Sequence, residues 1–303
     1  MASVFGPSPE PASELGRYQF LSSTVGIRVS PLQLGVIMTK DRSFNIQDTF
    51  FEAGGNFIDT ANNYQNELSE LWLGRVPNFC GNHKRNMFID ILYVHWWDQM
   101  TCIEEMIDNC PAWVVAAANT YAFTNGKTPF SVYQGRWNVM RRDFEHHIIP
   151  MVRYFSMAPV PWDILGSGHF QSKKAMEDRK EKSEGLHSGG GLYEALSKVA
   201  EEHGIESVTA IALANVTAKV TNVFPLVGGR KAEHLEYNIQ ALHIKLRKEQ
   251  IKYLEGVNDF DVGLPGNFIL ENPRVSGGPD PMLLEANAKL AYVRAPKPIG
   301  YEN

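Results

Sequence analysis

Short apolar runs alternate along this chain with segments whose apolar residues recur at helical spacing, the two signatures of buried strands and one-sided helices. A strand is expected over residues 27–35, ending at Gly35. A helix is expected over 43–53, which carries Phe44, Ile46, Phe50 and Phe51 ahead of a Gly54-Gly55 stop. The next strand covers 56–59, and a helix occupies 67–73. Then come a strand over 90–95, helices over 101–108 and 112–121, a strand over 130–134, a helix over 144–155 and a short strand over 157–162. Helices over 191–203 and 207–216, a last strand over 223–227 and helices over 233–244 and 248–257 close the pattern.

Strands alternating with helices imply a parallel sheet with crossover helices. An open dinucleotide-binding sheet would place GxGxxG at its first strand–helix turn; no such turn exists, and Gly166-Ser167-Gly168 lacks the third glycine. Polar groups at strand carboxyl ends, spread over the whole chain, favour a closed α/β barrel, which needs about 250 residues and fits a chain of 303. Residues 1–20 read as a flexible N-terminal leader, 21–263 as the barrel and 264–303 as a loose C-terminal tail. The segment 171–190, rich in Lys, Glu, Ser and Gly, reads as a loop after a strand, either a lid or a solvated excursion.

Composition narrows the function. The chain is 44% hydrophobic, ample for a large core, and carries a net charge of -5 without a basic stripe. Nucleic acid is therefore not expected as a partner. No apolar stretch approaches the roughly 20 residues of a membrane helix, and the N-terminus has no signal-peptide pattern, so a cytoplasmic protein is expected. Three cysteines form no CxxC pair, which suits a reducing compartment. The adjacent His146 and His147 point different ways on a helix, so no metal site is expected.

The chemistry concentrates in two runs. Phe57-Ile58-Asp59 is a short apolar strand ending in a carboxylate, with Tyr64 following in a polar loop. Ile91-Leu92-Tyr93-Val94-His95 repeats the design with an imidazole. Asp59, Tyr64 and His95 could thus meet at one mouth of a barrel as a proton-handling site. Taken singly, Asp59 and Tyr64 also fit an Asx turn and a surface tyrosine, and His95 a satisfied core histidine.

Four separated motifs carry a family resemblance: residues 59–64, 93–98, Phe130-Ser131-Val132-Tyr133-Gln134, and Pro225-Leu226-Val227-Gly228-Gly229-Arg230 continuing to Leu235. From about residue 21 to 263 the chain resembles the aldo-keto reductases, nearest the fungal aryl-alcohol dehydrogenase and norsolorinic acid reductase-like group. The resemblance implies a (β/α)8 TIM barrel that binds NADPH without a Rossmann fold and reduces a small-molecule carbonyl. It implies that Tyr64 donates the proton, His95 orients the carbonyl oxygen, and Asp59 pairs with a lysine and helps hold the cofactor. Gln134 would bind the carboxamide, and Tyr133 or Trp162 would line the nicotinamide. Leu165, in the loop from Trp162 to Gly168, would lie along the pyrophosphate. Gly228, Arg230, His234 and Asn238 match the segment that grips the adenosine 2′-phosphate, where an arginine favours NADP.

The sequence departs from that family by a shortened loop over residues 35–40, after the first strand, and by two larger gaps. Leu73-Gly74-Arg75-Val76-Pro77 runs directly into a later loop, without the strand ending in Thr-Lys that supplies the catalytic lysine. Asp108-Asn109-Cys110-Pro111 likewise skips from one helix to the next. The barrel is therefore expected to be incomplete, lacking its third and fifth strands. The expected activity is NADPH-dependent reduction of a hydrophobic aromatic or polycyclic carbonyl in fungal secondary metabolism. The alternative is a degenerate, non-catalytic relative lacking the catalytic lysine.

Overall fold

The computed structural model describes residues 10–35, 40–61, 64–73, 91, 111–166, 170, 190–229, 232–263, 267, 272–276, 293 and 295–297. The strand expected over 27–35 is two strands in different sheets. β2 (Val25–Val29) pairs antiparallel with β1 (Gln19–Ser22), whereas β3 (Gln33–Gly35) joins a parallel sheet. Ser30-Pro31 separates them, and a proline without an N–H cannot continue a ladder. The bend is pinned from outside: the Ser30 amide donates to Asn56 Oδ1 at 2.7 Å, and the Ser30 hydroxyl donates to the Leu32 carbonyl at 2.9 Å.

Order begins ahead of residue 21. Ser13 caps a short 3-10 turn (Glu14–Gly16), and Leu15 is fully buried in the main core. In the hairpin, Leu21 and Val29 pack with Phe57, Ala158, Val160 and Phe224. Phe57 directly precedes β4 (Ile58–Asp59) and Phe224 lies two residues before β7 (Leu226–Val227), so the hairpin covers the amino ends of the parallel strands.

Those strands form two parallel groups. One has the order β4-β3-β7, with Gly35 opposite Asp59 and Leu34 opposite Val227. The other pairs β5 (Val132–Arg136) with β6 (Ala158–Trp162), placing Arg136 opposite Trp162. The groups meet where the Phe224 amide donates to the Pro159 carbonyl at 3.0 Å. Residues 158, 160 and 162 of β6 serve β5, so Pro159 and Pro161 face β7 and offer it carbonyls but no N–H. That explains why a full ladder stops there. Among the described residues the strands do not close into a ring; the fold they define is α/β with parallel sheets.

Three helices position the site. The helix Ala112–Thr124 buries Val114, Val115 and Ala118 against Met151, Val152 and Met157. Its Asn119 accepts from the Phe130 amide at 2.8 Å and donates to the Phe130 carbonyl at 3.2 Å, fixing the approach to β5. The helix Val208–Lys219 starts at Ser207, whose hydroxyl accepts from the Ala210 amide, and it is buried on nearly every side. The helix Ala232–Gln240 follows β7 and packs Leu235 and Ile239 into the main core. Of the strand expected over 90–95 only Ile91 is described, packed against the cluster under the hairpin, and the helix expected over 101–108 lies outside the described residues. Among the described residues no helix is long and apolar enough to cross a membrane.

Candidate active site

Asp59 is the last residue of β4 and is buried. Gln134 is the third residue of β5, and its Nε2 donates to Asp59 Oδ1 at 3.3 Å. That bond joins the carboxyl end of one strand group to the middle of a strand in the other, across 75 positions of sequence. Gly135 makes the arrangement possible. A Cβ there would stand 2.7 Å from the Phe144 ring, so only glycine lets Phe144 close against this face while Gln134 points to the other. Tyr133 lies on the Phe144 side, edge-on to that ring at 5.7 Å. Of the two aromatic residues expected to line the nicotinamide, it is Trp162 that ends a strand and stays 41% exposed.

Tyr64 is half-buried, and its carbonyl accepts from the Ser69 amide at 3.3 Å where the helix Ser69–Leu73 begins. Three residues in a row after it, Gln65, Asn66 and Glu67, have left-handed backbone, with φ of 54°, 53° and 69°. Each non-glycine residue so held costs about 1–2 kcal/mol, and strain of this kind gathers where a loop is held for function. Burial, and next the Asp59 carboxylate, push the Tyr64 phenol above its ordinary pKa. The phenol is thus a firmly protonated hydrogen-bond donor beside a buried anion, the reverse of a tyrosine activated by an ammonium group.

A second polar group at this end has no counterpart in the sequence expectations. Arg136 Nε donates to Asp163 Oδ2 at 2.6 Å, and its guanidinium carbon lies 5.5 Å from the Trp162 ring centre. Asn138 donates to the Asp163 carbonyl at 2.8 Å and accepts from the Met140 and Arg141 amides. Together they tie the loop after β5 to the loop after β6. A readable signal existed: Arg136 is two residues beyond Gln134, so strand alternation puts both on one face. The tied loop turns at Gly166, whose φ of 62° and 2.9 Å approach to the Phe170 ring exclude a side chain. Leu165 packs partly against the main core, which leaves its backbone rather than its side chain to meet a ligand.

Gly228 follows β7 and is exposed, on the opposite side of β3 from Asp59. His234 and Asn238 lie one turn apart on the next helix, His234 exposed and Asn238 buried. Neither the amide nitrogen nor the oxygen of Asn238 has a hydrogen-bond partner. An unpaired buried amide costs about 1–3 kcal/mol, and a bound group with complementary donors and acceptors would remove that cost. His95 and Arg230 lie outside the described residues. Asp59, Tyr64 and Gln134 are brought together; Gly228 and Asn238 lie on the β7 side.

A buried carboxylate, a protonated phenol and an exposed indole thus lie toward the carboxyl ends of parallel strands, where α/β enzymes place their chemistry. Sequence comparison names the family. The profile of the Aldo/keto reductase family matches residues 33–89 and 84–259, and the chain belongs to that family. A putative aryl-alcohol dehydrogenase of Saccharomyces cerevisiae is 47% identical over 375 aligned positions, covering 96% of this chain and 100% of that protein. An NADP(+) aryl-alcohol dehydrogenase of Phanerodontia chrysosporium is 36% identical over 87% of this chain and 91% of its own. The norsolorinic acid reductase of Aspergillus flavus is 35% identical over 98% of this chain and 96% of its own. The first alignment is longer than the 303 residues here, so that relative holds residues this chain lacks. The family generally uses NAD(P)H, and the unpaired amide of Asn238 is a feature such a cofactor fits.

Proposed function

We propose that this chain is an NADPH-dependent carbonyl reductase acting on a hydrophobic aromatic or polycyclic intermediate of fungal secondary metabolism. The observation that carries the reading is the Gln134–Asp59 bond beside Tyr64. It gathers a proton donor, a carboxylate and an amide at the carboxyl ends of parallel strands, where α/β enzymes place their chemistry. NADPH, when bound, supplies the hydride. Tyr64 holds the proton for the carbonyl oxygen, and Asp59 keeps the Gln134 amide oriented toward the site. Trp162 offers an apolar plane, and Asn238, Gly228, His234 and Arg230 are the residues that would hold the adenosine end. The names of the relatives support the substrate class, one being a reductase of norsolorinic acid and another an NADP(+) aryl-alcohol dehydrogenase. The scaffold of this reading is the family's (β/α)8 barrel, carried by residues 21–263.

A second reading, a relative that binds the cofactor without turning it over, rests on the upward pKa of Tyr64 and on a sequence with no strand ending in Thr-Lys. Fluorescence titration with NADPH, followed by an assay with an aromatic aldehyde, separates the two. Binding with aldehyde-dependent NADPH oxidation supports the reductase; binding without oxidation leaves the second reading standing.

A further inference from the structure

At the amino ends of the parallel strands, opposite Asp59 and Trp162, lies a cleft of about 980 Å³. It is bounded by the residues leading into β6 and β7, by the β1–β2 turn and by the helix Lys248–Glu255. Arg153, Lys219, Lys248, Lys252, Arg274 and Lys297 line it, with Glu255 as the one carboxylate among the described lining residues. The chain as a whole has a net charge of -5, so this concentration of cations runs against its composition. Glu255 accepts from Lys219 at 2.8 Å and faces Arg142 at 3.5 Å, so that pair balances itself and the charge turned to a ligand is that of Lys248, Lys252 and Arg274. Lys219 in turn is shared with Glu145. Lys248 and Lys252 stand four residues apart on one exposed helix face, and no ion pair among the described residues includes either. Like charges at that spacing repel.

We propose that this cleft is a second binding site, for a small organic anion carrying two or more phosphate groups. The charge argues for a polyphosphate, since Lys248, Lys252 and Arg274 together exceed what one carboxylate would neutralise, and lysine binds phosphate as a point charge. Ile251 and Val275 supply an apolar wall for the rest of such a molecule. The volume lies at the upper end of the small-molecule range of about 300–1,000 Å³. Its concave shape suits a free ligand rather than a flat anionic surface. The site is separate from the carbonyl-reducing mouth and stands whether or not that mouth is active.

The test is calorimetric titration of the full chain with inorganic tripolyphosphate at low salt, with and without saturating NADPH. The expected result is saturable binding, weakened about tenfold or more in Lys248→Gln/Lys252→Gln and unchanged in Lys245→Gln, an exposed lysine outside the cleft. Dependence on Lys248 and Lys252 supports the proposal whether or not NADPH competes. Absence of saturable binding overturns it. So does binding that the double substitution leaves intact, or that Lys245→Gln weakens equally.

Discussion

Tyr64 sits half-buried beside the Asp59 carboxylate, and both influences hold its proton more firmly than water does. The pKa is raised, so the protonated form persists through the ordinary tyrosine value near about 10 and is lost only above it. If Tyr64 is the proton donor, kcat/KM for aldehyde reduction stays flat from neutral pH to about 10. A limb falling between about pH 7 and about pH 9 would show a cation acting on the phenol and contradict this geometry. Asn238 gives an independent check. Asn238→Leu removes a buried amide with no partner, so the free chain should gain about 1–3 kcal/mol in urea unfolding. The same substitution should weaken NADPH binding; unchanged affinity would remove Asn238 from the cofactor site. That Asp59 and Tyr64 lie close together was legible in the sequence because each ends or follows an apolar run; Gln134 was singled out only by the family resemblance. The Arg136–Asp163 pair was not legible, because pairing two loops requires knowing that β5 and β6 are neighbours.

At the scale of elements, periodicity located the helices well, and boundaries moved by a few residues where capping decided them. The helix expected over 207–216 runs to Lys219, and that over 233–244 breaks into Ala232–Gln240 and a 3-10 turn. The β1–β2 hairpin was missed, because the alternating apolar positions Ile27, Val29, Leu32 and Leu34 read as one strand across the break that Ser30-Pro31 imposes. The elements are tied together by a mostly buried charge network. Glu145 accepts from Arg142 at 2.8 Å, from Lys219, and from the Trp137 indole at 3.0 Å. Burial alone would raise its pKa, but hydrogen bonds and charge from Arg142 and Lys219 bring the net value below the usual carboxylate range. The stability it contributes is therefore present above that range and lost as pH falls through the lowered value. Glu145→Gln should cost about 3–5 kcal/mol at neutral pH, toward the lower end because Glu255 still faces both cations. A loss under about 1 kcal/mol by urea unfolding would mean the network is solvated like a surface pair.

At the scale of the whole molecule, strands β4, β3, β7, β6 and β5 follow one another side by side, with Asp59 and Trp162 at one end and a hairpin packed against the other. Membership of the aldo-keto reductase family was legible because four motifs survive in order along the chain. The barrel expected to be incomplete is an open run of parallel strands among the described residues, and the places of its third and fifth strands lie outside them. The polar mouth and the cationic cleft lie at opposite ends of the strands, so ligands at the two need not meet. The central claim is that the mouth reduces a carbonyl with Tyr64 as proton donor. Steady-state oxidation of NADPH by an aromatic aldehyde, compared between the natural chain and Tyr64→Phe, tests it most directly. The account predicts aldehyde-dependent turnover that falls by about a hundredfold or more in Tyr64→Phe while NADPH binding is kept. Turnover equal in the two proteins, or absent from the natural chain despite tight NADPH binding, would contradict it.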